Sequence, residues 1–455
     1  MVELGRGQGT DMIKATSPLG RTLKLFGVGA RTVGRSIVKS LPVGGDQAER
    51  AIQYWSDVGT DLVETLGELR GAAMKLGQLA SQYSDVLPPA LAEKLRLLQR
   101  SVEPLPFSAI EPLLAAQWTT DQRASVVAIE PVALAAASIG QVHRARLRSG
   151  EAVVVKVRYP GVREAVDADL VQLRRLIMAS KLLPLDGAAM DRLMAEVRDR
   201  FREETDYGAE LAHLEFLRRV ARHPGVVYAR PFTELCTSGL LVLSEERGEP
   251  LEVAAQWSRE VRDQLGRSLC EWIAQSFFSA HAVHADPHPG NFAFRESGVV
   301  VVYDMGCVKT VPAPVIEHVR NLLNAACNRE WSGVHHALQA LGGVRPETPI
   351  QEVQGLYSDF ADVVLEPLLA ESKFDFAAPG YIEEIRQVAR RHWSLAFTFQ
   401  PVSDLVFVLR ALSGLYWMLR SLQAVVPVRA VVCEAGVEAA AARSASSSAW
   451  KPRGQ

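Results

Sequence analysis

The sequence predicts an α+β chain of two lobes, a strand-rich part followed by a mostly helical one. Three observations carry that expectation. Val-rich runs between residues 141 and 157 have the length and period of paired strands. A second compact strand pair fits residues 291–303, and from residue 314 onward the apolar residues recur at helical spacing. Strands gathered early and helices late point to segregated layers, not to an alternating α/β wind.

The chain has 455 residues, enough for two or three domains. Hydrophobic residues make up 48% and charged residues 22%, an ordinary globular balance. The net charge of −2 supplies no basic excess, so nucleic-acid binding is not expected. Cys236, Cys270, Cys307, Cys327 and Cys433 are scattered without C-x-x-C spacing and read as thiols of a reducing compartment. No uninterrupted apolar run reaches the ~18 residues of a membrane span. The best run, Leu405 to Leu419, is broken by Arg410.

Taken in order, residues 1–45 read as a flexible basic N-terminus. Lys14, Arg21, Lys24, Arg31, Arg35 and Lys39 meet no acid between Asp11 and Asp46. Such a segment suits an anionic membrane surface, a targeting peptide or a solvated tail. Residues 46–125 read as a helical extension. Leu62, Leu66, Leu69, Ala73, Leu76, Ala80 and Tyr83 share one helix face, Pro88-Pro89 ends it, and Ala90 to Arg100 fits a second helix.

Residues 126–250 read as an N-lobe with inserted helices. Gln141–Leu147 and Glu151–Val157 flank a turn at Arg148-Ser149-Gly150. Val166 to Arg219 is helical in period, and Leu240–Leu243 is a short buried strand. Residues 251–440 read as a helical C-lobe. A helix over Glu260–Ala282 precedes a hairpin, Asn291–Phe294 and Val299–Tyr303, and helices follow from Pro314. Residues 441–455 read as a flexible tail.

The chemistry concentrates in His284-Ala285-Asp286-Pro287-His288-Pro289-Gly290-Asn291. Asp286 and Asn291 have the D-x-x-x-x-N spacing of a kinase catalytic loop. Thirteen residues after Asn291 comes Asp304-Met305-Gly306, where a kinase has D-F-G. The hairpin between them would bring Asp304 beside Asn291. A carboxylate and a carboxamide there are hard oxygen ligands for Mg²⁺ on ATP phosphates. His284 and His288 lie four apart, but Pro287 and Pro289 forbid the helix that would align them on zinc.

Lys156 ends the Val153–Val157 strand. A lysine in such a strand usually snorkels to solvent, and when buried it needs anions. ATP phosphates and a helix glutamate would supply them. The run Glu203 to Glu210 offers that glutamate, although acidic runs are more often solvated faces. The expectation depends on Lys156, Asn291 and Asp304 meeting on one metal-bound triphosphate.

This combination resembles the UbiB (ADCK) family of protein-kinase-like ATPases over roughly Leu66 to Leu422. The residues that carry the resemblance are Ala135 to His143, Lys156, His284 to Asn291 and Asp304-Met305-Gly306, with Lys75-Leu76-Gly77-Gln78 as a K-x-G-Q motif and Glu204-Thr205-Asp206 as an E-x-D motif. The resemblance implies a bilobal protein-kinase-like fold. It also implies that Ala135, Ala136, Ala137, Ser138, Ile139, Gly140 and Gln141 form an Ala-rich loop in place of a glycine-rich one. Lys156 would contact the α- and β-phosphates with Glu210 as its partner, and Glu245 would lie at the adenine hinge. Asp286 would sit in the place of the catalytic base, and Asn291 and Asp304 would hold Mg²⁺. Lys75 and Gln78 would lie over the active site, with Lys75 paired to Glu204 or Asp206.

Two departures from protein kinases are legible. Lys156 and Glu210 are 54 residues apart, and no long activation segment or A-P-E follows Gly306. Peptide docking needs that platform. The expected function is therefore an atypical kinase or ATPase using Mg²⁺ and ATP or ADP. The resemblance implies support of ubiquinone (coenzyme Q) biosynthesis, with quinone-like lipids, an anionic membrane surface and other biosynthetic proteins as partners. The expected location is cytoplasmic, peripheral to a membrane, or mitochondrial in a eukaryote. The alternatives are a nucleotide-gated scaffold with negligible turnover and a conventional protein or small-molecule kinase.

Overall fold

The structure is a computed structural model that describes residues 104–136, 139–162, 205–369, 372–395, 398–400 and 402–435, with isolated positions between 170 and 202. The helices expected at 62–83 and 90–100, the basic N-terminus, most of 166–204 and the tail lie outside the described residues. The chain divides into two compact units. One comprises the residues up to Ala209 with Phe232–Glu245, and the other comprises Glu210–Pro231 with Glu246 onward.

The first unit opens with helices α1 (Phe107–Gln117) and α2 (Thr120–Ser125). Thr119 and Gln122 cap α2 reciprocally, satisfying donors that a helix start leaves free. The sheet follows as β1 (Val126–Ile129), β2 (Ala135–Ala136), β3 (Gly140–Leu147), β4 (Ala152–Arg158) and, across the first stretch of the second unit, β6 (Leu240–Ser244). Its order is β1-β3-β4-β6, antiparallel throughout, with β2 paired to the start of β3.

Side-chain alternation sets the two faces. Val153, Val155 and Val157 are fully buried and pack with Ile110 and Leu114 of α1. Lys156 therefore projects from the opposite face. Trp118 closes the edge of this core, and its indole N–H donates to the Leu235 carbonyl at 2.8 Å. Glycine is needed where the chains come closest: a Cβ on Gly140 would sit 2.3 Å from the Val157 carbonyl oxygen.

Helix α3 (Tyr207–Val220) runs across the division between the units. The second unit builds a three-stranded sheet from β5 (Val226–Tyr228), β8 (Phe292–Phe294) and β9 (Val300–Val302). The fully buried β9 lies at the centre, parallel to β5 and antiparallel to β8. Helix α4 (Arg259–Phe278) is capped by Ser258 and carries the buried Trp272.

The expected helix to Ala282 stops earlier. His281 adopts a left-handed φ of 51°, and β7 (Ala282–His284) pairs with β10 (Val308–Thr310). Helices α5 (Ala313–Cys327), α6 (Trp331–Ala340) and α7 (Ile350–Val363) share a core around Val334, Val353 and Tyr357. A two-residue pairing of β11 (Phe374–Asp375) with β12 (Val425–Val426) interrupts the helical expectation further on, as pairs this short leave no period to read.

Helices α8 (Tyr381–Arg391) and α9 (Val406–Leu422) complete the unit. Ser403–Leu422 is the described segment long and apolar enough to cross a membrane. Ala411, Leu415, Met418, Leu419 and Leu422 form its buried face. All five cysteines are free thiols. Burial pushes Cys270 up to about 12, which leaves it an inert packed side chain.

Candidate active site

In the first unit, Ala135 and Ala136 pair with Val142 and Gln141. The start of the Ala-rich segment is thus a short arm paired to β3, and Ala137 and Ser138 lie outside the described residues. Ile139 and Gly140 are buried. Gln141 is fully buried, and its side chain turns inward. Its carbonyl oxygen accepts from Leu105 N–H at 2.7 Å, while its amide donates to the Leu105 carbonyl at 3.1 Å and to His143 Nε2 at 2.8 Å. His143 in turn donates through Nδ1 to the Glu130 carbonyl at 2.7 Å. The amide of Gln141 is committed to pinning the preceding segment to the sheet, so that side chain has no spare amide hydrogen for a nucleotide.

Lys156 is flanked in register by Val142 and Leu241. Its ammonium stands 5.1 Å from the centre of the Tyr207 ring, an attraction between cation and ring face that orients the stem. Glu245 follows β6. Its backbone N–H donates to the Ala152 carbonyl at 3.1 Å and its carboxylate accepts from Arg144 Nε at 3.0 Å. The sheet edge thus takes the backbone N–H of Glu245, and an arginine takes its carboxylate.

Asp206 caps α3. Its Oδ1 accepts from the Gly208 and Ala209 amides at 3.0 and 3.1 Å, where a carboxylate is favoured by the helix dipole. Lys75, its expected partner, lies outside the described residues, as do Gln78 and Glu204. Glu210 is buried at 4% exposure in the portion of α3 assigned to the second unit.

The second unit brings Asp286, Asn291 and Asp304 together. Ala285 N–H donates to the Cys307 carbonyl at 2.8 Å, which starts the loop beside the D-M-G segment. Tyr303 N–H donates to the Asn291 carbonyl at 2.9 Å. The hairpin register thus delivers Asp304 one residue beyond the partner of Asn291. Asn291 Nδ2 donates to Asp286 Oδ2 at 2.9 Å and to the Asp286 carbonyl at 3.0 Å. With the nitrogen so used, the carboxamide oxygen is the atom presented to a cation.

Two histidines hold the D-M-G backbone. The Asp304 carbonyl accepts from His284 Nε2 at 2.7 Å, and the Met305 carbonyl accepts from His213 Nδ1 at 3.1 Å. His284 is wedged between Trp272 and Phe292, with ring centroids 6.0 and 5.5 Å away. Asp304 Oδ1 accepts from Gly306 N–H at 2.7 Å.

Among the described residues, no cluster of three or more His, Cys, Asp or Glu could hold a metal ion. One carboxylate and one carboxamide oxygen, completed by phosphate and water oxygens, are the ligands Mg²⁺ takes. The donor set of Asn291 and Asp304 fits that ion. Sequence reasoning missed His213 and Arg410. Arg410 donates to Asp286 Oδ1 at 2.6 Å. Its signal was present as the lone charge in the apolar run Leu405–Leu419, and such a charge has to meet a counter-charge when partly buried.

Residues 97–338 match the ABC1 atypical kinase-like domain. The mitochondrial atypical kinase COQ8 of Saccharomyces cerevisiae is 28% identical over 391 residues, covering 83% of this chain and 77% of that protein. The mitochondrial atypical kinase COQ8B of Rattus norvegicus is 28% identical over 357 residues, covering 77% of this chain and 67% of that protein. Among solved structures, a Mycobacterium tuberculosis protein, Rv3197, determined with erythromycin, superimposes with a TM-score of 0.58 at 24% identity, covering 85% of this chain and 97% of that one. This last likeness concerns the fold.

Proposed function

Because the chain belongs to the ABC1 atypical kinase-like family, we propose that it binds Mg²⁺-ATP and consumes it as an atypical kinase or ATPase, not as a peptide kinase. The observation that carries this reading is the hairpin that sets Asp304 beside an Asn291 whose amide nitrogen is already committed to Asp286.

In this reading Asn291 and Asp304 would hold Mg²⁺, which when bound neutralises phosphate charge. Lys156 contacts the α- and β-phosphates, and the buried Glu210 serves the lysine. The Ala-rich segment from Ala135 to Gln141 would face the phosphates with its backbone. The added Cβ atoms narrow the backbone freedom that a glycine loop would have. Asp286 orients the attacking hydroxyl or water. By the UbiB resemblance, the K-x-G-Q residues Lys75 and Gln78 and the E-x-D residues Glu204 and Asp206 would cover the site. Glu245 marks the hinge, and its neighbours' backbone groups reach the adenine.

Helix α5 begins at Ala313, seven residues past Gly306. That span leaves no room for the platform on which a kinase seats a peptide. It favours water, a small molecule or a lipid-soluble acceptor. By extension from the UbiB resemblance and from the mitochondrial relatives, the activity supports ubiquinone biosynthesis. Quinone-like lipids and an anionic membrane surface are its partners, in the mitochondrion if the source is eukaryotic.

Phosphate release from the purified full chain tests the reading, with Mg²⁺-ATP and with or without vesicles containing anionic lipid. Turnover is expected in the wild type and lost in Asp304→Asn. Equal rates in the two proteins would sink the assignment. Nucleotide binding with no turnover in the wild type would return the scaffold reading. Label transfer to added peptides is expected to be absent.

A further inference from the structure

Helix α9 is apolar along most of its length, yet Arg410 lies in its first half. Its guanidinium reaches Asp286 Oδ1 at 2.6 Å, and the two side chains are 25% and 32% exposed. One turn further on, Gly414 presses against the same loop. A Cβ there would lie 2.1 Å from Cγ and 2.3 Å from Cβ of Pro287. Arg410 and Gly414 are four residues apart and so share a helix face. An ion pair and a close steric approach therefore seat one face of α9 on the Asp286-Pro287 corner.

The consequence passes through Asp286 to Asn291. One carboxylate oxygen of Asp286 is taken by Arg410, and the other accepts from Asn291 Nδ2. A carboxylate gripped at one end cannot turn about its own axis without breaking a charge-assisted hydrogen bond. While it is held, the Asn291 amide has one orientation that keeps its nitrogen bonded. If it were released, the Asp286 carbonyl at 3.0 Å would alone hold the nitrogen, and the carboxamide would flip more readily, offering its N–H₂ to the place where an oxygen ligand is needed.

We propose that Arg410 is a positioning residue of the catalytic loop, which through the Asp286 carboxylate fixes the Asn291 carboxamide with its oxygen toward Mg²⁺. The inference rests on the Mg²⁺-ATP reading for its purpose but not for its test. Hydrogen exchange of the nucleotide-free full chain reads the loop directly, because the His288 and Asn291 amides are bonded within it and Ala285 is bonded to Cys307.

Arg410→Gln is expected to speed exchange over residues 285–291 by about tenfold, the equivalent of one hydrogen bond to a charged group. Arg410→Lys, which keeps the charge, should fall between the two. In nucleotide titrations the gain in ATP affinity on adding Mg²⁺ should shrink about tenfold in the Gln variant, with Mg²⁺-free affinity within about twofold of wild type. A merely structural defect would weaken both alike and would overturn the proposal. Wild-type exchange and a wild-type Mg²⁺ increment in Arg410→Gln would overturn it too. Should the Gln variant fail to fold, Arg410→Lys carries the same readouts, and wild-type values there are equally fatal. If the wild type binds no Mg²⁺-ATP, the functional reading fails, and loop exchange alone decides the role of Arg410.

Discussion

Gly140 shows how a single position can constrain the start of β3. The Val157 carbonyl oxygen lies 2.3 Å and the Tyr207 hydroxyl 2.8 Å from where a Cβ would be. Val157 and Tyr207 are both fully buried, so neither can swing aside. Gly140→Ala is expected to cost about 2 kcal/mol, the usual penalty for overpacking a tight contact. The drop should be visible as a lower midpoint in chemical unfolding. A midpoint equal to wild type would mean that the hairpin is looser than these distances indicate. The same neighbourhood explains why Gln141 is turned inward. A fully buried amide must meet its hydrogen-bonding capacity, and Leu105 and His143 meet it.

Helix α9 divides its work between faces. Val406, Leu409 and Trp417 are exposed at 50%, 62% and 52%, while Gly414 abuts Pro287. Gly414→Ala must push the helix and the loop apart, because a proline ring offers no flexible end to give way. The expected results are a lower unfolding midpoint and weaker stabilisation by Mg²⁺-ATP. Ser413→Ala, one residue earlier and exposed, is expected to change stability by no more than about 0.5 kcal/mol. If the two variants melted together, the seating of α9 on the loop would have no energetic weight. The hairpin of β8 and β9 is the other element on which the site depends. Its buried valines place Asp304 by register alone.

The proposed nucleotide site draws on residues of both compact units, Lys156 in one and Asn291 and Asp304 in the other, so its test belongs to the whole chain. A ligand that binds only the folded chain stabilises it by about 2.7 kcal/mol at a hundredfold excess over its Kd. Mg²⁺-ATP is expected to raise the melting temperature, and EDTA should remove most of the gain. Lys156→Ala and Asp304→Asn should each abolish it, although they lie in different units. A gain that survives in either variant would remove the substituted residue from the site and assign nucleotide binding to the other unit.

What could be read without coordinates was whatever depends on neighbours along the chain. The Val-rich strands, the Asp286–Asn291 spacing, the D-M-G after its hairpin and the short span before α5 are local patterns, and local patterns survive in a linear string. What could not be read were pairings between distant segments: Arg410 with Asp286 across 124 positions, His213 with Met305 across 92, and Gln141 with Leu105 across 36. An arginine in an apolar helix announces that it needs a carboxylate but not which one. Packing makes that choice, because it decides which groups leave water together.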